Sequence, residues 1–291
     1  MPQDQNKTRT GLVLEGGALR GLFSTGILDV MMERGLTVDG MVGVSAGACF
    51  GVNYKSGQKG RSLRYNLRYA HNRRYCSLQS LFTTGDLFGA KFAYHDIPNQ
   101  YDIFDNDAFR RDPSPFFLVC TDCHTGKPVY HECRETGDEL YEWIRASASM
   151  PVVSHPVAIG NQVLLDGGMT DAIPLAFMQH QGFRRNIVVL TQPLGYRKYP
   201  LNPVIRKILR KSLRDYPKII EVMENRYKMY NAELDYIGQQ INEGQTFLLA
   251  PEEKLPIGRV SHSRTKMQRT YDLGHEMMER RWDELMEFLN A

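Results

Sequence analysis

The sequence lacks any apolar run approaching the ~20 residues that a membrane-spanning helix requires. Its first ten residues are polar and contain no apolar core of the kind found in a secretory signal peptide. Its five cysteines are irregularly spaced, which does not suit a disulfide framework. These absences predict a cytoplasmic protein, and the 42% hydrophobic content of the 291 residues suffices for a large core.

The glycine-rich segment 16–21, which reads G-G-A-L-R-G, also lacks the motifs of nucleotide-binding loops. It does not have G-x-G-x-x-G spacing from its first glycine, and no P-loop lysine with serine or threonine follows. A glycine-rich loop that begins a helix still presents N–H groups to an anion, either a phosphate or the oxyanion of acyl transfer. Apolar residues at helical spacing from Leu19 to Met31 predict an amphipathic helix after the loop.

A G-x-S-x-G sequence occupies residues 43–47, with Ser45 at its centre. A short apolar run that can form a buried strand precedes it, and small apolar residues that can begin a helix follow it. A sharp strand-to-helix turn exposes the residue at the turn, and the flanking glycines permit the strained backbone. The pattern predicts a nucleophilic serine, and a tight turn with a capping serine is the alternative.

A third segment lies far downstream, where a strand-like run ends at Asp166 and is followed by Gly167 and Gly168. A carboxylate followed by two glycines can approach another loop closely. The alternative for this segment alone is a β-turn that begins with aspartate.

Taken in order, the three segments resemble the patatin-like phospholipase family, whose pattern is G-G-G-x-R-G, then G-x-S-x-G, then D-G-G or D-G-A. The resemblance extends from about residue 10 to about residue 192, and the E-G-G-x-x-R-G opening resembles that of bacterial members. Ala18 stands where a third glycine is usual. Because alanine does not easily adopt a positive φ, either the loop has a different shape or Ala18 has a negative φ.

The resemblance implies an α/β fold, a three-layer α/β/α sandwich with a central, mostly parallel sheet. It also implies a serine acyl hydrolase that cleaves lipid esters through a Ser45–Asp166 dyad, with no cofactor and no metal. The N–H groups of Gly16, Gly17 and Ala18 would hold the oxyanion. Arg20 would either bind a lipid phosphate or close the loop on a carboxylate, and we favour the second role. The other motif residues are Gly21, Gly43, Gly47, Gly167 and Gly168.

Three alternatives to this mechanism remain open. A conventional triad needs a histidine after the acid, and His262, in a polar loop, is the one credible rival base. A non-catalytic lipid-binding or regulatory protein can keep the same fold. An acyltransferase would use the same site with an alcohol in place of water. Zinc chemistry is not predicted, because Cys120, Cys123, His124 and Cys133 lack a further matching ligand pair.

Two clusters of basic residues suggest a partner surface, although the net charge is only +3. The second cluster is interleaved with apolar residues at helical spacing, as in helices that lie on anionic membranes, and a solvated helix face is the alternative. No motif supports a nucleic-acid partner. The first cluster is Arg61, Arg64, Arg68, Arg73 and Arg74, and the second is Arg206, Lys207, Arg210, Lys211, Arg214 and Lys218.

The chain divides into a catalytic domain over residues 10–192 and a helical C-terminal extension over 193–291 that packs on the same core. The extension contains a long helical pattern from Pro217 to Gly244, a strand-like run at 245–250 that can rejoin the main sheet, and a final helix. Between the serine and aspartate motifs, the aromatic-rich segment 75–109 predicts a cap over the site. Its apolar residues either line an acyl channel or form ordinary core: Leu81, Phe82, Leu87, Phe88, Phe92 and Tyr94.

Overall fold

A single central sheet organises residues 8–291, the part of the chain that the computed structural model describes. Residues 1–7, on which the expectation about a leader segment largely rests, lie outside this part. The spatial order of the strands is β5-β6-β3-β2-β1-β7-β8, with β4 beside β3. The strands are β1 (Thr10–Leu14), β2 (Gly40–Val44), β3 (Phe116–Asp122), β4 (Pro128–Glu132), β5 (Val157–Ile159), β6 (Gln162–Asp166), β7 (Arg185–Val189) and β8 (Thr246–Leu249).

The sheet is mixed and mostly parallel. The five strands β3, β2, β1, β7 and β8 run parallel to one another, and β4, β5 and β6 add antiparallel pairs at the β3 edge. Parallel strands need helical crossovers that cover both faces of the sheet. The expected α/β architecture is therefore confirmed.

Helices cover both faces of the sheet. Alternate residues of β1 show the two sides: Leu12 and Leu14 pack with α1, α6 and α10, whereas Val13 packs with α7 and α9. Short 3₁₀ turns at Ala18–Gly21 and Gly167–Met169 and a π-helix at Phe92–Tyr101 complete the chain. The α-helices are α1 (Leu22–Glu33), α2 (Ala46–Lys55), α3 (Arg61–Tyr69), α4 (Leu78–Thr84), α5 (Asn106–Arg111), α6 (Asp138–Ser147), α7 (Leu175–His180), α8 (Pro203–Ser212), α9 (Pro217–Asn242), α10 (Arg264–Arg280) and α11 (Trp282–Asn290).

Helix α1 corrects one expectation from the sequence. The helix is present, but it is not amphipathic in the folded protein, since every residue from Leu22 to Met31 is buried. Helix α10 covers the side that the sequence pattern left for solvent. Gly26 and Gly274 lie where the two helices touch, and a Cβ at either position would overlap main-chain atoms of the other helix.

Residues 193–291 contribute to both faces and to the sheet itself. Strand β8 pairs in parallel with β7, helix α9 packs on one face, and α10 packs on the other. The division of the chain at residue 193 remains a prediction. Within residues 8–291, no helix has both the length and the hydropathy needed to cross a bilayer.

Replacing Gly274 by alanine tests the close contact between α10 and α1. A Cβ here would overlap the main-chain carbonyl of Phe23, so the two helices would have to separate. We expect urea titration to show a free energy of unfolding that is about 1–3 kcal/mol lower than in the wild type. Gly238→Ala, at an uncrowded position of α9, is the control and should raise stability by about 0.5–1 kcal/mol. Similar small effects of both substitutions would contradict the contact.

Candidate active site

The strand register brings the three sequence motifs to one edge of the sheet. Leu14 at the end of β1 is level with Gly43, and Val44 at the end of β2 is level with Val119. Strand β6 runs in the opposite direction beside β3 and ends at Asp166, level with Cys120. Asp166 therefore reaches the carboxyl edge of β2 from the opposite direction. The glycine-rich loop, Ser45 and Asp166 line one cavity at this edge.

Ser45 occupies a strained turn between β2 and α2, with φ 56° and ψ −118°. Such a conformation costs a non-glycine residue about 1–3 kcal/mol and persists only where the surroundings enforce it. The surroundings here are close main-chain contacts: a Cβ on Gly47 would overlap the Leu14 carbonyl, and a Cβ on Gly43 would overlap the main chain at Gly47. A Cβ on Gly16 would lie 2.8 Å from the Ser45 Cβ. These glycines allow the loops to approach Ser45.

Ser147 fixes the main chain at Ser45, a role that was not predicted from the sequence. The Ser45 N–H donates to Ser147 Oγ at 3.0 Å, and Ser147 Oγ donates to the Val119 carbonyl at 2.7 Å. The hydroxyl lies at the end of α6 and is fully buried. It links the Ser45 turn to strand β3. No local sequence pattern distinguishes Ser147 from the serine at 149.

Asp166 is a buried carboxyl with an elevated pKa. Only 2% of the residue is exposed, and burial raises the pKa of the carboxyl above its ordinary value. The Ser45 hydroxyl, the Arg226 and Arg259 charges and the Gly168 N–H oppose this rise in pKa, the last by donating to Asp166 Oδ1 at 2.8 Å. The Ser45–Asp166 interaction lacks the geometry of a standard hydrogen bond, which catalytic pairs often adopt only with substrate bound.

Glycines flank Asp166 for reasons of space. A Cβ on Gly167 would overlap the Val119 carbonyl, so the turn after Asp166 packs directly on β3. Gly168 supplies the N–H that binds the carboxyl. The D-G-G motif therefore positions and hydrogen-bonds the carboxylate, beyond marking a turn.

The glycine-rich loop offers unpaired N–H groups beside Ser45. Within residues 8–291, the N–H groups of Gly16, Gly17 and Ala18 have no protein acceptor, and all three residues line the cavity that contains Ser45. Ala18 has φ 50°, so the alternative of a negative φ is wrong and this alanine adopts the conformation that favours glycine. Ala46, the first residue of α2, has a helix-terminal N–H close to the same serine.

A buried carboxylate ties this loop to the rest of the fold. Glu15 accepts hydrogen bonds from the Thr191 N–H at 2.6 Å and from the Tyr230 hydroxyl at 2.7 Å. Thr191 Oγ1 lies 2.9 Å from the Gly16 carbonyl and 3.1 Å from Glu15, and its single proton serves either acceptor. Glu15 thus joins the loop after β1 to the end of β7 and to α9.

Arg20 binds within the loop region, but through a carbonyl and not through the carboxylate that the sequence analysis favoured. Its Nε donates to the Thr191 carbonyl at 3.3 Å, and Glu15 acts on it only as a nearby charge. Gly21 lies against the Phe50 ring, where a Cβ would come within 2.8 Å of a ring carbon. Both motif residues therefore pack the loop onto its neighbours.

Ser45 lies where two cavities meet. The first, here called the apolar chamber, has a volume of about 120 Å³. The second, the cationic chamber, has a volume of about 260 Å³ and also contains Asp166. Within residues 8–291, no histidine lines either chamber. The apolar chamber is lined mainly by Cys49, Phe50, Tyr65, Tyr75, Phe88, Tyr94, Ile97, Phe104 and Ile144, and the cationic chamber by Glu15, Arg20, Lys198, Arg226 and Arg259 with the catalytic motifs.

The aromatic-rich segment contributes to these chambers only in part. Phe88 and Tyr94 line the apolar chamber, and Leu87 lines the cationic one. Phe92 instead packs edge-on against Tyr69, with ring centroids 5.2 Å apart, and Phe82 is 85% exposed. Leu81 lines neither chamber. The expectation of a channel formed by all six residues was too broad.

Neither His262 nor the cysteine-rich segment, residues 120–133, lines the two chambers. His262 Nδ1 lies 2.6 Å from the Ala70 carbonyl, away from the lining of both chambers. Cys133 lies beside His131 and Glu135. The rival base therefore has no contact that supports it.

Three of the five arginines of the first basic cluster, Arg61, Arg64 and Arg74, lie in ion pairs with acidic residues. Arg61 is 5% exposed and lies 3.4 Å from Asp102, to which Arg64 also donates two bonds of 2.8 Å. Arg74 pairs with Asp96 at 2.7 Å. The acids come from a distant part of the sequence, so the uninterrupted basic run did not reveal them. This cluster is in large part a set of internal ion pairs.

The second basic cluster retains an exposed apolar and cationic surface on α8. Arg206 and Arg210 lie near Glu224, whereas Lys207 and Lys211 are exposed. The α8 surface is defined by these two lysines and by three exposed apolar side chains. They are Val204 (67% exposed), Ile205 (48%) and Ile208 (45%).

Comparisons with known proteins agree with this architecture. A family model described as patatin-like phospholipase matches residues 12–178, and the chain therefore belongs to the patatin-like phospholipase family. A second family model, for a domain of unknown function (DUF6363), matches residues 216–290. A solved structure of VipD from Legionella pneumophila aligns with a TM-score of 0.47 and 12% identity, over 97% of this chain and 67% of that one.

Curated relatives match over the first part of the chain. The uncharacterised protein YjjU of Escherichia coli K12 is 28% identical over 188 residues, which cover 64% of this chain and 52% of that protein. An uncharacterised NTE family protein of Mycobacterium tuberculosis H37Rv is 28% identical over 172 residues, 58% of this chain and 45% of that protein. Lysophospholipase NTE1 of Cryptococcus neoformans is 28% identical over 190 residues, which cover 62% of this chain and 11% of that protein. The chain spans about half the length of the first two relatives and a ninth of the third.

The Asp166→Asn variant tests the elevated pKa. In the unfolded chain this carboxyl ionises near 3.8, whereas burial raises its pKa in the native state, so stability falls as the pH rises through that higher pKa. Asparagine keeps an acceptor for the Gly168 N–H but carries no charge. We expect a higher free energy of unfolding than in the wild type at about pH 8, with a difference that shrinks toward about pH 4. Asp215→Asn, at an exposed site, is the control. A pH-independent loss of stability in Asp166→Asn would contradict the assignment.

Proposed function

We propose that the protein is a serine acyl hydrolase that cleaves ester bonds of lipids through Ser45 and Asp166. The observation that carries the proposal is the place of Ser45. It lies in a strained turn beside a buried carboxyl, at the point where the apolar chamber and the cationic chamber meet. Within residues 8–291, no histidine lines either chamber. An acyl chain suits the apolar chamber, and the alcohol half of an ester suits the other. The name of lysophospholipase NTE1, a distant relative, supports the same substrate class.

In this mechanism Asp166 is the general base. Its raised pKa makes the carboxylate a stronger base than an exposed one, and it accepts the Ser45 Oγ proton as Oγ attacks the ester carbonyl. The negative charge that develops on the carbonyl oxygen is stabilised by N–H groups of Gly16, Gly17, Ala18 or Ala46. One such donor is worth about 2.7–4 kcal/mol in the transition state.

The intermediate collapses to an acyl-enzyme, and the alcohol leaves with the proton held by Asp166. Water then enters, Asp166 takes one of its protons, and the hydroxide attacks the acyl carbon. The fatty acid leaves, and the proton returns from Asp166 to Ser45. Bond making and proton transfer balance in each half-reaction without a further cofactor.

Substitutions at three positions test the assignment of the base. On a monoacyl glycerol or lysophospholipid substrate, we expect Ser45→Ala and Asp166→Asn each to lower kcat by about 10⁴-fold or more. His262→Ala should keep the wild-type rate, because this histidine lies outside both chambers. Measuring released fatty acid against acylated alcohol separates hydrolysis from acyl transfer.

Two results would contradict this proposal. Loss of activity in His262→Ala with full activity in Asp166→Asn would assign the base to the histidine. No turnover of any ester by the folded wild type would favour the non-catalytic alternative.

We also propose that the α8 surface binds anionic membranes and that the protein works in the cytoplasm. Exposed Val204, Ile205 and Ile208 beside Lys207 and Lys211 form the pattern of an interfacial helix. A surface of this kind fits a partner that is apolar and negatively charged. The five cysteines, all free, suit a reducing compartment.

Vesicle sedimentation tests the α8 surface. We expect Ile205→Glu with Ile208→Glu to reduce binding to phosphatidylserine-containing vesicles by about tenfold or more, since two apolar contacts are replaced by repelled charges. Val260→Glu, which also changes an exposed apolar residue but lies outside α8, is the control. Equal binding by wild type and the α8 variant, or equal loss in the control, would contradict a docking role.

A further inference from the structure

The cationic chamber contains more basic side chains than the proposed catalysis by Ser45 and Asp166 requires. Lys198, Arg226 and Arg259 line it, in addition to Arg20 of the loop. Elsewhere in the protein, arginines and lysines form many ion pairs, such as Arg64 with Asp102. Within residues 8–291, none of these four chamber cations has a carboxylate within 4 Å. Four basic side chains share this chamber with two acidic ones, Glu15 and Asp166, so basic groups exceed acidic groups in its lining and an anion can bind among them.

Arg226 and Lys198 are held in place by uncharged groups, whereas Arg259 is exposed at the chamber. Arg226 Nε donates to the Gly168 carbonyl at 2.6 Å, and Lys198 Nζ lies 2.7 Å from the centre of the Tyr230 ring. Burial and the charges of Arg226 and Arg259 lower the pKa of Lys198 to about 6. Lys198 is therefore largely uncharged at neutral pH when no anion is bound, and an anion beside it would favour the protonated form.

The neighbouring acids offset the cluster as nearby charges and not through ion pairs. Glu15 accepts hydrogen bonds from Thr191 and Tyr230, and Asp166 accepts one from the Gly168 N–H. Glu233 lies beside Asp171, and burial with this second carboxyl raises the pKa of Glu233 well above its ordinary value. An incoming anion would make charge-assisted hydrogen bonds with two guanidinium groups.

We propose that Lys198, Arg226 and Arg259 form a subsite for the phosphate group on the alcohol half of the substrate. The inference rests on the proposed function, because it places the ester at Ser45 with the acyl chain in the apolar chamber and the phosphate in the cationic chamber. Arg226 and Arg259 belong to the region 216–290, matched by the domain of unknown function. This region thereby takes part in substrate selection.

Matched substrates test the subsite. Decanoyl lysophosphatidic acid and monodecanoylglycerol share the acyl chain and ester and differ only in the phosphate. We expect the wild type to have the higher kcat/KM on the phosphate ester. In a Lys198→Gln, Arg259→Gln variant, the ratio of the two kcat/KM values should fall about 10- to 100-fold, mainly through KM, since charge-assisted bonds to the phosphate are lost. Arg226 is left intact because it contacts the turn that carries Asp166.

A Lys228→Gln, Lys254→Gln variant removes the same charge from exposed positions and is the matched control. Its substrate ratio should equal that of the wild type. An equal fall of the substrate ratio in both double variants would contradict the subsite, because general electrostatic attraction would then explain the effect. An unchanged ratio in the chamber variant would overturn the subsite.

Calorimetry on the Ser45→Ala protein separates the subsite from catalysis. We expect glycerol 3-phosphate to bind, to bind more tightly than inorganic phosphate, and to lose binding when Lys198→Gln and Arg259→Gln are added. Binding of glycerol 3-phosphate with no hydrolysis by the wild type would reject the proposed function and retain the subsite. Equal binding of both anions would reject a lipid headgroup as the ligand. No binding of either anion would reject the subsite.

Discussion

The close approach of two main-chain segments at the carboxyl ends of β1 and β2 is the constraint on which the site depends. Gly47 lies against the Leu14 carbonyl and Gly16 lies against Ser45, at distances that leave no room for a Cβ. This contact holds Ser45 in a conformation that few non-glycine residues adopt. Ser147 supports the same turn by a hydrogen bond. The exposed hydroxyl, the loop N–H groups and the mouth of both chambers follow from this one packing arrangement.

The C-terminal third of the chain is bound to the site by polar contacts as well as by the sheet. Tyr230 on α9 donates to the buried Glu15 at the base of the loop, and Arg226 donates to Gly168 beside the catalytic carboxyl. Strand β8 extends the sheet, and α10 buries α1. An unsatisfied buried carboxylate is costly, so this network couples the conformation of the loop to the docking of α9. The region matched by the domain of unknown function thus supports the loop and the turn that form the candidate site.

The sequence allowed prediction of those features that depend on local chain geometry. The strand–turn–helix spacing around Ser45 and the glycines beside Asp166 specify backbone turns, whereas the mostly parallel sheet was an implication of the family resemblance. Features that depend on distant partners were not predictable in this way. Arg61, in the first basic cluster, pairs with Asp102, which lies about forty residues later in the sequence. Helix α1 is covered by α10, a helix from the other end of the chain. Ser147 also acts only through tertiary contact, so no local pattern marks it.

Labelling with a fluorophosphonate, followed by mass-spectrometric mapping of the modified peptide, tests the central claim most directly. The reagent reacts only with a serine that a neighbouring base activates. We predict one adduct, at Ser45, which is absent in Asp166→Asn and retained in His262→Ala. Failure of the folded wild type to react, or an adduct whose formation depends on His262 and not on Asp166, would contradict the assignment of Ser45 and Asp166 as the catalytic pair.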